Sequence, residues 1–69
     1  MKEKNLGFKI KKLREEKNMS QEELAIQLNI SQSKLSKIEN GQLKADLVLI
    51  KDVCKCFCIE IADFLDQFI

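Results

Sequence analysis

Three thiols lie within five residues of one another, at Cys54, Cys56 and Cys58, and the 69 residues contain no histidine. Cys54 and Cys58 stand one helical turn apart and share a helix face, while Cys56 points elsewhere, so a tetrahedral zinc site lacks ligands. An odd number of closely spaced cysteines is also the wrong layout for a disulfide framework, and a reducing, cytoplasmic compartment is expected. Ser31-Gln32-Ser33-Lys34 has the Ser-x-x-Lys spacing of the penicillin-recognising nucleophiles. No second motif accompanies it, the chain is too short to build a cleft, and Ser31 has better employment as a helix cap. Neither an enzyme, a metal nor a cofactor is expected.

The remaining candidates are polar side chains whose chemistry is hydrogen bonding and charge: Gln21, Gln32, Ser33, Ser36, Asn40 and a set of lysines. Their meaning depends on what holds them. A chain of 69 residues with 45% hydrophobic and 33% charged side chains has globular composition and room for one small domain, residues 1–69. Ordering each residue costs on the order of 1.5 kcal/mol, so so short a chain gains from helices or from a second subunit. The net charge of +1 conceals an asymmetry: residues 1–44 carry ten Lys/Arg against six Asp/Glu, whereas 45–69 carry two against five. A basic front half suits a polyanionic partner on one face. The longest apolar run, Leu47-Val48-Leu49-Ile50, is far below the roughly 18 residues that span a bilayer, so no membrane partner is expected.

Proline is absent and glycine occurs only at Gly7 and Gly41, which excludes a Gly-rich phosphate loop and favours helices. Apolar residues recur at three and four along most of the chain. Leu6, Ile10 and Leu13 sketch a first helix over about 5–17, with Phe8 to one side and lysines on the other faces. Ser20-Gln21-Glu22-Glu23 is a capping box that starts a helix at 21. Leu24, Ala25 and Leu28 form its apolar face, and Asn29, which tolerates left-handed angles, ends it near 28. Ser31 caps the next helix, about 32–39, which turns Leu35 and Ile38 inward, leaves Gln32, Ser33, Ser36 and Lys37 outside, and stops at Asn40-Gly41. Two short helices joined by a three-residue turn, with a small residue, Ala25, where they cross, have the spacing of a helix-turn-helix at about 21–39.

Leu13-Arg14, Ser20-Gln21-Glu22-Glu23-Leu24-Ala25, Ile30-Ser31 and Leu35-Ser36-Lys37-Ile38-Glu39-Asn40-Gly41 together resemble the Cro/CI-type, or XRE, family of phage-repressor-like helix-turn-helix DNA-binding proteins over about residues 6–66. The resemblance implies an all-α, compact five-helix bundle of the lambda-repressor type, with Asp46 capping a fourth helix of about 47–57 and Glu60 opening a fifth of about 61–67. The sequence departs from the pattern at Asn29 and Cys58, where the family commonly has Gly, and at Ala45, where it often has Pro. Positions 54 and 56 take small residues in the family, which makes Cys54 and Cys56 plain core fillers.

The implied function is that of a sequence-specific transcriptional regulator, a repressor, binding double-stranded DNA at a roughly palindromic operator as a homodimer. No small-molecule substrate is evident. The helix at 32–39 would lie in the major groove, with Gln32, Ser33, Ser36 and Lys37 reading bases. Gln21, Lys34, Asn40 and Lys44 would hold phosphates, with backbone amides at the Gln21 helix start and at Asn40 assisting and Lys2 and Lys4 adding charge. Gln21 would also brace Gln32. Arg14 and Glu39 would form a structural ion pair that orients the recognition helix. Ile61, Phe64, Leu65 and Phe68 make an apolar stripe at i, i+3, i+4 and i+7; Leu65 is expected to pack inward and Ile61, Phe64 and Phe68 to join the dimer interface. The competing class is a protein-interaction or antitoxin-like module that keeps the fold without operator binding. Such a module would tend to carry apolar residues on the outward face at 32–37, where this chain has two lysines.

Overall fold

The computed structural model describes residues 6–66. They form α1 (Leu6–Glu16), α2 (Gln21–Leu28), α3 (Gln32–Glu39), α4 (Leu47–Phe57) and α5 (Ile61–Asp66), with no strand among the described residues. Three of the helix starts are written locally. The Ser20 hydroxyl accepts from the Glu23 amide at 3.0 Å while the Ser20 amide donates to Glu23 Oε1 at 2.8 Å, which is the reciprocal capping box. Ser31 accepts from the Lys34 amide at 3.0 Å, and Asp46 from the Leu49 amide at 2.9 Å.

Each of the first four helices ends in the same device, a residue in the left-handed region whose amide and following amide reach back to the last turn. For α1 this is Asn18 (φ 57), where Asn18 N–H donates to the Glu15 carbonyl at 3.0 Å and Met19 N–H to that of Arg14 at 3.0 Å. Asn29 (φ 60) does so for α2, with Ile30 N–H on the Ala25 carbonyl at 3.0 Å, and Gly41 (φ 81) for α3, with Gln42 N–H on that of Lys37 at 2.8 Å. At the end of α4 the position falls to Cys58 (φ 58), with Ile59 N–H on the Cys54 carbonyl at 2.9 Å. Of these four only Gly41 adopts the conformation without crowding by a Cβ.

The helices close on one core in which Ile10, Leu24, Leu35, Ile38, Val53 and Phe64 are the largest fully buried side chains. α3 packs against α1 and α2, α4 against α2, and α5 against α4, so that the helix-turn-helix is backed on two sides. Leu6, Leu13, Met19, Ile30, Ile61 and Leu65 cover the edges of this core.

Two expectations are corrected by this packing. Phe64, expected in a contact with a second copy, is 1% exposed and belongs to the chain's own core, because the short α5 has one face to turn toward α4 and Phe64 is the largest side chain on it. Cys56, expected as a core filler, packs only half-buried against the edge of the core, and its thiol donates to Gln27 Oε1 at 2.8 Å, tying α4 to α2. Cys54 does fill the core, where burial raises its thiol pKa, and Cys58 is exposed. Among the described residues no helix is long and apolar enough to cross a membrane. Lys2, Lys4 and Phe68 lie outside the described residues.

Candidate nucleic-acid interface

α3 turns Leu35 and Ile38 into the core, which leaves Gln32, Ser33, Lys34 and Lys37 exposed on its other face and Ser36 half-buried beside them. Asn40 and Lys44 are exposed in the segment that follows, and Gln21 is half-buried at the first position of α2. The proposed base readers thus stand on one rigid element, and the proposed phosphate holders flank it.

A continuous set of polar contacts joins this face to the interior. Glu39, the last residue of α3, is 3% exposed although charged. Its carboxylate receives Arg14 Nε on Oε2 at 2.9 Å and Arg14 Nη2 on Oε1 at 3.1 Å, a bidentate pair between the end of α1 and the end of α3. Arg14 Nη1 donates to the Met19 carbonyl at 2.9 Å, which fixes the turn after α1 as well. The hydrogen bond to Glu39 raises the Arg14 guanidinium pKa, outweighing the opposing cost of desolvation. Gln21 Nε2 donates to Glu39 Oε1 at 3.0 Å, and Gln32 Nε2 donates to Gln21 Oε1 at 3.4 Å. The contacts therefore run Arg14, Glu39, Gln21, Gln32, with Glu39 the buried member and Gln32 at the outer face.

One phosphate donor is corrected. The Asn40 N–H, expected to be offered to an anion, donates to the Ser36 carbonyl at 3.0 Å as the helix closes, which leaves only the Asn40 side chain for that task. Glu22 and Glu23 sit in the first turn of α2 and offset the positive end of its dipole, so attraction for a polyanion on this side rests on Lys34, Lys37 and Lys44.

Sequence reasoning missed the Gln21–Glu39 bond and the Arg14 contact to Met19, which join residues apart in the chain and carry no local signature. It also missed the exposed apolar residues Ile26, Leu43, Leu47 and Val48, the last two 62% and 69% exposed at the start of α4. The run Leu47-Val48-Leu49-Ile50 is apolar throughout, whereas a helix turns only half of it inward.

A helix-turn-helix family model matches residues 10–65. The fold matches the crystal structure of the clp gene regulator ClgR from Corynebacterium glutamicum, with 28% identity and a TM-score of 0.83, over 93% of this chain and 68% of that one. It also matches the restriction-modification controller protein C.AhdI from Aeromonas hydrophila, with 30% identity and a TM-score of 0.77, over 87% of this chain and 91% of that one. No curated protein sequence matches significantly. Capping box, left-handed turn and Arg14–Glu39 brace all fall inside the matched residues, and the chain belongs to the XRE-type, phage-repressor-like helix-turn-helix family.

Proposed function

We propose that this protein is a repressor that binds a roughly palindromic DNA operator as a homodimer, with α3 in the major groove. The coarser part of that statement, a DNA-binding transcription regulator, follows from the family and from the regulators whose folds it shares. The observation that carries the finer part is the outward face of α3: an amide, hydroxyls and two lysines on a helix whose opposite face is wholly buried. In this reading Gln32, Ser33, Ser36 and Lys37 meet base edges, and Gln21, Lys34, Lys44 and the Asn40 side chain meet phosphates.

One recognition helix covers only a few base pairs. Two of them held about 34 Å apart read successive major grooves on one side of the duplex, which is the physical reason for a two-fold dimer. Ile61, at the start of α5, and Phe68 remain the interface residues in this proposal, without Phe64. The exposed Leu43, Leu47 and Val48 favour a second reading in which the fold docks a protein partner.

Selection of bound sites from a random duplex library separates the two. A repressor enriches a symmetric motif with two half-sites about one helical turn apart, whereas an interaction module enriches nothing.

A further inference from the structure

The amide of Gln32 can be turned in either of two ways about its last bond, and the two differ in what they offer a base. Adenine presents an acceptor at N7 and a donor at N6 and is matched by an amide that offers N–H and oxygen together. Guanine presents two acceptors, N7 and O6, and is matched by an amide that swings its nitrogen toward it. A reader free to turn its amide accommodates both purines.

In this structure the freedom is restricted in three steps that begin in the interior and end in a longer, exposed contact. Glu39, buried and paired with Arg14 through two bonds, is a carboxylate and only accepts. The atom of Gln21 that lies 3.0 Å from Glu39 Oε1 must then be its nitrogen, which turns the Gln21 oxygen outward. The atom of Gln32 facing that oxygen at 3.4 Å must in turn be a nitrogen. Gln32 is left with its oxygen and its second N–H for the groove, the pair that adenine requires.

We propose that Glu39 is a positioning residue for base discrimination: acting through Gln21, its acceptor-only carboxylate sets the amide of Gln32 so that the protein prefers adenine over guanine at the base pair that Gln32 faces. This rests on the reading of α3 as the recognition helix, and it gives the buried pair a role beyond holding α3 in place. Glu39→Gln replaces the acceptor by a group that accepts or donates, and so releases the amides of both Gln21 and Gln32. Gln21→Leu cuts the same relay while leaving the Arg14–Glu39 pair intact, which keeps the test open if Glu39→Gln does not fold.

The experiment measures the ratio of affinities for two duplexes, the wild-type selected site and the same site with the Gln32-facing adenine changed to guanine. Wild type, Gln21→Leu, Glu39→Gln and Gln32→Ala are compared, with circular dichroism establishing that each is folded under assay conditions. Wild type is expected to prefer adenine by about tenfold or more. The relay predicts a ratio within about threefold of unity for Gln21→Leu and for folded Glu39→Gln, whatever their overall loss of affinity. A merely structural Glu39 would lower affinity for both duplexes equally and leave the ratio at the wild-type value. That result for Gln21→Leu, with Gln32→Ala losing the preference, overturns the relay while the recognition-helix reading stands. If Gln32→Ala keeps the preference, Gln32 does not read that base, and the recognition assignment falls together with the relay.

Discussion

Arg14 and Glu39 join α1 to α3 through two parallel hydrogen bonds, at 2.9 and 3.1 Å, with side chains only 12% and 1% exposed. A pair so shielded is unlike a surface salt bridge, because removing one partner strands the other in a poorly solvated place. Glu39→Ala is accordingly expected to cost about 3–5 kcal/mol, a large share of the stability of so small a domain. Denaturant melts of Arg14→Ala, Glu39→Ala and the double variant give the coupling energy. A coupling near zero would mean that the two charges are only neighbours.

Cys58 occupies the left-handed position after α4, where its Cβ crowds the backbone. Cys58→Gly should therefore raise stability by about 0.5–1 kcal/mol, the relief of crowding being partly offset by the greater freedom of glycine in the unfolded chain. Asn29→Gly should gain less, since asparagine tolerates this region. Paired urea melts check both, and a Cys58→Gly variant less stable than wild type would contradict the strain assigned to this turn.

Burial raises the thiol pKa of Cys54, and that of Cys56 is raised by burial and by the nearby Cys58. A folded value above the unfolded one means that the contribution to stability is complete below the unfolded thiol value of about 8.5 and is lost as pH climbs through the folded value. Thermal melts should be level between about pH 7 and 8 on this account and decline above about 9. The decline should be shallower in Cys54→Ala. Equal slopes in the two proteins would remove the buried thiol as the cause.

Much of this fold was legible because its signals are local. The Ser20–Glu23 box and the Ser31 cap are short-range hydrogen bonds, and α2 and α3 begin where those residues put them, whereas the Asp46 cap of α4 was expected from the family resemblance. Asn18, which ends α1 in the same way that Asn29 ends α2, gave no recognisable stop in a lysine-rich stretch. Phe64 shows the other kind of limit: its place in an apolar stripe marks it as buried somewhere, but whether against α4 or against a second copy is settled only by how the helices pack. The Gln21–Glu39 bond spans 18 positions and depends on the crossing of α2 and α3, which no spacing rule encodes.

The dimer expectation now rests on fewer residues. With Phe64 in the core, Ile61 is the described α5 residue left to a two-fold contact. Ile61→Asp is expected to shift the protein toward monomer and to weaken binding of a two-half-site duplex, with a smaller loss of stability because half-buried Ile61 also packs at the edge of the core. Phe64→Asp should instead unfold the chain, since it buries an unpaired charge. Sedimentation over a concentration series distinguishes these outcomes. A wild-type protein that stays monomeric at high micromolar concentration would remove α5 from any interface.

The most direct test of α3 as the recognition element is a titration of the selected duplex and a scrambled duplex with wild type, Gln32→Ala and Lys37→Ala at several salt concentrations. Wild type should prefer the selected duplex by about a thousandfold or more. Gln32→Ala should lose about 1–3 kcal/mol per half-site on the selected duplex and little on the scrambled one. If Lys37 holds a phosphate, its loss should weaken both duplexes and lower the salt slope by about one per half-site; if it reads guanine, the selected duplex alone should suffer. Wild-type affinity for the selected duplex in both variants would contradict the assignment of α3 to the major groove.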